Sequence, residues 1–168
     1  MRKTLWILPL IIGITQSLLI SCTPEEKTGP KEVRWDRISC ELCQMAVSDH
    51  FYSAQIRGSA GDRPTQVYYF DDLGCATLWL VDQDWKSDPR TEIWVNDHKT
   101  GEWLNAREAA YTTGNITPMD FGLGATLQSA KNTLNYQQAV KHIYQDEERK
   151  QQKRARDINK PLSQNRDN

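Results

Sequence analysis

Residues 66–80 read Gln66-Val67-Tyr68-Tyr69-Phe70-Asp71-Asp72-Leu73-Gly74-Cys75-Ala76-Thr77-Leu78-Trp79-Leu80, and they change character part-way. After Gln66, the first residues are β-branched or aromatic, the composition of a half-buried strand. Two carboxylates follow, and either can cap a helix by accepting from its free backbone N–H groups. Leu73, Ala76, Thr77 and Leu80 then recur at helical spacing. A strand that runs through a carboxylate cap into a helix is the joint on which the rest of the chain is arranged.

Upstream, Tyr52–Arg57 alternates well enough for a strand, and Gly58–Pro64 reads as the turn between it and residues 66–70. Downstream, Thr91–Val95 is a third strand. Asn96–Gly101 carries turn chemistry leading into Glu102-Trp103-Leu104. Ala106–Tyr111 reads as a short helix ended by Gly114, and Gly124–Leu134 as another. Tyr136, Ala139 and Ile143 continue a helical pattern. The order β-β-α-β-β-α-α predicts a small mixed α+β domain over residues 33–145. From about Lys150 almost no apolar residue remains beyond Ile158 and Leu162. Residues 146–168 therefore read as a charged, disordered tail. A basic membrane-binding segment is the alternative there, and the interspersed acidic residues argue against it.

The N-terminus has a different logic. Arg2 and Lys3 precede a mostly apolar run from Leu5 to Ile20, which ends Leu19-Ile20-Ser21-Cys22. This is the layout of an export signal, and it is shorter than the roughly 20 residues that cross a bilayer core. The run resembles the lipobox of bacterial lipoproteins. That resemblance implies a signal peptide over residues 1–21, a lipid on Cys22 and a periplasmic location. Thr23 after the cysteine favours the outer membrane over the inner. The polar residues 22–32, with Pro24, Gly29 and Pro30, read as a tether. A net charge of −1 gives no field for binding nucleic acid.

With Cys22 assigned to lipid, three of the four cysteines remain, Cys40, Cys43 and Cys75. An odd number cannot all pair within one chain in an oxidising compartment. The chemistry concentrates in Cys40-Glu41-Leu42-Cys43-Gln44-Met45. Gln44 in place of histidine excludes covalent haem attachment. Structural zinc prefers four ligands, and Cys75 has no paired neighbour in sequence. A thioredoxin-like pair lacks its helical setting, and Glu41 disfavours a low thiolate pKa. A Cys40–Cys43 structural disulfide stays open. Cu(I) is a further candidate, because soft thiolates and thioethers select it and it accepts few ligands. In an extended segment Cys43 and Met45 share a face. Met119, in Pro118-Met119-Asp120-Phe121-Gly122, is a third soft donor outside any helical stripe. Cys75 stands open between core residue and auxiliary ligand or disulfide partner. His50, His98 and His142 lack ligand spacing to one another; His50, a little downstream of Cys43, could reach a metal, but a surface position is the favoured reading.

Between Trp35 and Leu134 the chain resembles the NosL family of copper chaperones. The resemblance rests on the Cys-x-x-Cys-x-Met stretch, Ala54-Gln55-Ile56, Phe70-Asp71-Asp72-Leu73-Gly74-Cys75, Trp94-Val95-Asn96-Asp97, Trp103-Leu104-Asn105-Ala106 and Pro118–Gly122. It implies two related ββαβ halves and a non-enzymatic, lipid-anchored Cu(I) carrier. Cys43, Met45 and Met119 are its expected ligands, with Cys40 as the next candidate. It also implies an ABC-type membrane complex as partner and nitrous oxide reductase as client. The family has glycine where this chain has Gln44, and a position needing positive φ would strain glutamine. A thiol-disulfide oxidoreductase using Cys40 and Cys43, and a lipoprotein adaptor with structural sulfurs, are the alternative readings.

Overall fold

The computed structural model describes residues 28–159. The signal peptide over 1–21, the lipid site Cys22, most of the expected tether and residues 160–168 lie outside the described residues. Among the described residues no helix is long and apolar enough to cross a membrane.

The expected strand–cap–helix joint is present. Strand β1 (Ala54–Gly58) pairs antiparallel with β2 (Gln66–Phe70), with Ala54 opposite Phe70 and Ile56 opposite Tyr68. The chain then turns through Asp71 and Asp72 into helix α1 (Leu73–Leu80). Strand β3 (Glu92–Asn96) returns on the far side of β1, and β4 (Trp103–Asn105) closes the sheet in the order β2-β1-β3-β4. The connection β2-α1-β3 therefore crosses over β1. Strands β5 (Ala110–Thr112) and β6 (Gly124–Thr126) form a separate antiparallel pair, and helix α2 (Tyr136–Ile158) ends the described chain.

One face of the four-stranded sheet is apolar. Ile56, Phe70, Ile93 and Val95 are buried there with Leu73, Ala76 and Leu80 of α1. Each fully buried side chain of the size of Phe70 stabilises by about 1.5–3 kcal/mol. Trp79 lies 4.6 Å from Tyr68 and 5.3 Å from Phe70, centroid to centroid. Trp85 rests on Gly58, where a Cβ would fall 2.1 Å from its ring.

The other face of β1 is polar yet buried, because the N-terminal segment lies across it. The Gln55 side chain both accepts from Lys31 N–H (2.8 Å) and donates to Lys31 C=O (2.7 Å). Arg57 Nε donates to Gly29 C=O at 2.8 Å, and Gly29 N–H donates to Glu92 Oε2 at 2.7 Å. Buried polar side chains need such partners, and here backbone supplies them. Residues 29–31, read from composition as tether, are thus fixed to the domain.

Three further expectations are corrected. Ala106–Tyr111 is not a helix: Asn105 accepts from the N–H groups of Glu108 and Ala109, one turn forms, and β5 follows. Gly124–Leu134 is not a helix: it opens as β6, with Gly124 where a Cβ would fall 2.9 Å from His98. The strands these segments hold are three residues each, too short for periodicity to separate a strand from a helical turn. Asp146–Ile158 is helical rather than disordered. Its helix-forming residues sit at i,i+4 spacing, as in Asp146–Lys150 (3.0 Å) and Glu147–Gln151 (3.0 Å). The helix is nucleated by a capping box between Asn135 and Gln138 and packed through Ala139 and Ile143. The α+β class stands. Of the two expected halves, β1-β2-α1-β3 is a complete ββαβ unit. The second is a strand pair and a helix, without a closing strand among the described residues.

Candidate metal centre

Cys40 and Cys43 lie on a tight loop closed by a bridge between Ser39 and Ala46. Cys40 N–H donates to Met45 C=O (2.8 Å) and Gln44 N–H to Cys40 C=O (3.0 Å), so the chain folds back on itself between the cysteines and the methionine. Glu41 N–H donates to Tyr69 C=O at 3.0 Å, which docks the loop on the end of β2. Gln44 has φ +64°. The position does require a left-handed backbone. The Gln44 amide Nε2 offsets the strain by donating to the Cys40 and Glu41 carbonyls at 3.2 and 3.1 Å.

The joint after β2 supplies the other half of the site. Asp72 caps α1, its Oδ1 accepting from Cys75 N–H at 2.9 Å. Asp71, freed from capping, accepts from Cys43 Sγ at 2.8 Å. The first turn of α1 places Cys75 beside Cys40. The result is a cluster in which the sulfurs of Cys40, Cys43 and Cys75 and a carboxylate oxygen of Asp71 all lie within 4.8 Å of one another. Tetrahedral metal–thiolate bonds of 2.3 Å set neighbouring sulfurs roughly 3.8 Å apart, so the spacing suits a single ion. All three cysteines are free thiols.

The thiols differ sharply. A hydrogen bond from Cys75 pulls the Cys40 thiol down to about 6, against the opposing effect of burial. The same contact, joined by burial, pushes Cys75 far up, so within this pair Cys40 gives up its proton first. Burial, and then the bond to Asp71, pushes Cys43 up to about 12. Burial also holds the Asp71 carboxyl above its ordinary range, with hydrogen bonds from Cys43 and Cys40 working the other way. Glu41 does not prevent a low thiolate pKa at Cys40, because the neighbour that sets it is Cys75.

Access is from one side. Cys40, Cys75 and Asp71 are buried, Cys43 is half-buried, and Met45 is 47% exposed beside it on the loop. Met119 is half-buried against the core, and its N–H donates to Asp72 Oδ2 at 3.3 Å. Its backbone is thus tied to the residue that caps the Cys75 helix. The chain places Cys40 and Cys43 together as the sequence indicates, and adds Cys75 and Asp71. With these, four donors are present, so the sequence objection to zinc falls. His50 stacks on Trp35 at 3.9 Å, His98 Nδ1 is bonded to Ala125 C=O, and His142 Nε2 to Phe121 C=O. None of the three joins the cluster. Asp71 was legible only in part. Two consecutive carboxylates before a helix leave one without a capping task, and that one is the candidate.

No family model matches the chain, and no curated protein does. One solved structure is similar. It is the crystal structure of the copper chaperone NosL from Shewanella denitrificans, 19% identical, over 71% of this chain and 88% of that one, with a TM-score of 0.41.

Proposed function

We propose that the chain is a non-enzymatic carrier of Cu(I), bound at the Cys40–Cys43–Cys75 cluster and passed to a partner by ligand exchange. The observation that carries this reading is the convergence of three thiols at one partly open point. Thiolates select Cu(I), and an ion content with two or three ligands leaves room for an incoming donor. Met45, two residues along from Cys43, and Met119, on the loop tied to Asp72, are the thioethers this reading assigns to complete the set. An acceptor's sulfur would attack from the Cys43–Met45 side, and copper would leave the buried Cys40 and Cys75 last. The resemblance in sequence supports delivery for metal-centre assembly of nitrous oxide reductase. It also supports an ABC-type membrane complex as partner and anchoring through Cys22 on the periplasmic face, the outer membrane being favoured.

The thiol order speaks against a thiol-disulfide oxidoreductase. Such an enzyme needs an exposed, acidic thiol. Here the acidic thiol, Cys40, is fully buried, and the accessible one, Cys43, is pushed up to about 12.

A second reading follows from Asp71. A carboxylate oxygen among three sulfurs makes a four-donor set, which suits tetrahedral Zn²⁺ better than Cu(I). One experiment separates the two. Cu(I) is titrated against a competing chelator, and Co²⁺ is used to report tetrahedral thiolate binding, in the parent chain and in Cys43→Ser, Cys75→Ser, Met45→Leu, Met119→Leu and Asp71→Asn. The carrier reading expects tight Cu(I) binding, weakened by the sulfur substitutions and little changed by Asp71→Asn. Undiminished Cu(I) binding in all the sulfur variants sinks it. Co²⁺ binding that collapses in Asp71→Asn favours zinc.

A further inference from the structure

We propose that Lys150 is a positioning residue for Met119, holding its thioether toward the cysteine cluster from α2. This rests on the reading of Met119 as a copper ligand.

The loop that carries Met119 has little regular structure to fix it. Asp120 has φ +57° and Gly122 φ +69°, so two left-handed residues follow the methionine within three positions. For an aspartate this conformation costs roughly 1–2 kcal/mol, and it persists where the surroundings over-determine it. Thr117 supplies part of that determination: its Oγ1 accepts from Phe121 N–H (3.0 Å) and Gly122 N–H (3.2 Å). Phe121 lies flat on Gly74, where a Cβ would fall 2.0 Å from the ring.

The two polar backbone atoms of Met119 are then held by different elements. Its N–H donates to Asp72, the buried cap of the helix that bears Cys75. Its C=O accepts from Lys150 Nζ at 2.8 Å, and the neighbouring Asp120 C=O accepts from the same ammonium at 3.0 Å. The ammonium also lies 3.7 Å from the centroid of the Phe121 ring. Asp146, one turn earlier on α2, sits 3.0 Å away as an ion pair without hydrogen-bond alignment. One cation therefore joins the strained residue, the ring that seats the loop and the methionine itself. Through Asp72 the methionine's other side is referred to Cys75. Contacts from α1 and α2 thus hold the Met119 loop jointly: on α2, His142 Nε2 meets Phe121 C=O at 3.1 Å, and Lys150 is the contact made to Met119 itself. An outer residue that orients a ligand in this way typically changes metal affinity by about 10–100-fold when removed.

The test uses Lys150→Met, which keeps an apolar stem over Phe121 and removes the donors, and Lys150→Arg as the conservative control. Each is made in the parent chain and in Met119→Leu. Cu(I) affinity is measured by chelator competition, and the Met119 methyl resonance is followed in methyl-labelled protein. The expected result is a loss of about tenfold in Lys150→Met, largely restored in Lys150→Arg, with no further loss in the Met119→Leu background. The Met119 methyl should shift with Cu(I) in the parent and shift less in Lys150→Met. An equal loss in the Met119→Leu background overturns the role, since the effect would then be general. Parent-like affinity and methyl response in Lys150→Met overturn it as well. A parent Met119 methyl indifferent to Cu(I) overturns the ligand reading on which it rests, which the first two outcomes do not.

Discussion

The backbone at Gln44 gives a prediction whose size follows from the geometry. With φ +64°, an L-residue bears roughly 1–2 kcal/mol of strain relative to glycine. The side chain returns part of this through two bonds to loop carbonyls at 3.2 and 3.1 Å. At an exposed site these are worth about 0.5 kcal/mol each. Gln44→Ala keeps the strain and loses both bonds, so it should destabilise by about 1 kcal/mol. Gln44→Gly loses the bonds and adds about 0.7 kcal/mol of unfolded-chain entropy, but relieves the strain, and should lie within about 1 kcal/mol of the parent. Gln44→Val sets a β-branched residue where it is a conformational outlier, and should cost about 3 kcal/mol. The separation between the glycine and valine variants is the decisive quantity, and it corresponds to roughly 10 °C in melting temperature. Urea unfolding of the metal-free variants measures it. Valine tolerated as well as glycine would show that residue 44 is not left-handed, and the loop that carries Cys43 and Met45 would have to be redrawn.

Three other outcomes are expected. Gly74→Ala would ordinarily stabilise a helix by about 1 kcal/mol, but its Cβ meets Phe121, so a net loss of about 1–3 kcal/mol should appear in chemical denaturation; a gain would mean that Phe121 does not rest there. In the metal-free protein, ultraviolet thiolate absorbance should show one group titrating near pH 6, Cys40, ionised above that pH and protonated below it. Cys75→Val removes the donor that favours the thiolate, so this midpoint should move upward toward an ordinary thiol, and a fixed midpoint would assign the low value elsewhere. Gln55→Leu removes both bonds to the Lys31 backbone and should cost about 2–3 kcal/mol, with faster hydrogen exchange at the Lys31 amide; unchanged protection would count against the clamp.

The joint at residues 66–80 was legible because three signals coincide there: a β-rich run, a capping carboxylate and a helical stripe. β2 spans Gln66–Phe70 as read. The three-residue strands β5 and β6 were not legible, since so short a run holds no period. The helical end of α2 was hidden for another reason. Composition counts charges without regard to their spacing, and here i,i+4 spacing and a contact from Lys150 to a distant loop decide the outcome. At the site, the pair Cys40 and Cys43 is local and could be read. Cys75 and Asp71 come to it only because the cysteine loop docks on the end of β2, a long-range contact that no local pattern encodes. Gln44 is the instructive residue. Its departure from glycine raised the question of strain, and the structure answers it with a side chain that bonds back to its own loop.

The clamp on residues 29–31 also sets a direction. Gly29 is held at the Arg57–Glu92 end of the sheet, while the cysteine loop docks where Phe70 meets Ala54, at the opposite end of the same strands. Between them the chain climbs the back of the sheet. Six residues separate Cys22 from Gly29, a leash of at most about 25 Å. A lipid on Cys22 would therefore enter at the foot of the domain, with the sulfur cluster carried at its head. A reach of about 25 Å exceeds the radius of a domain this size, so such a leash would hold the domain close to a surface and still leave it free to turn the cluster toward either side.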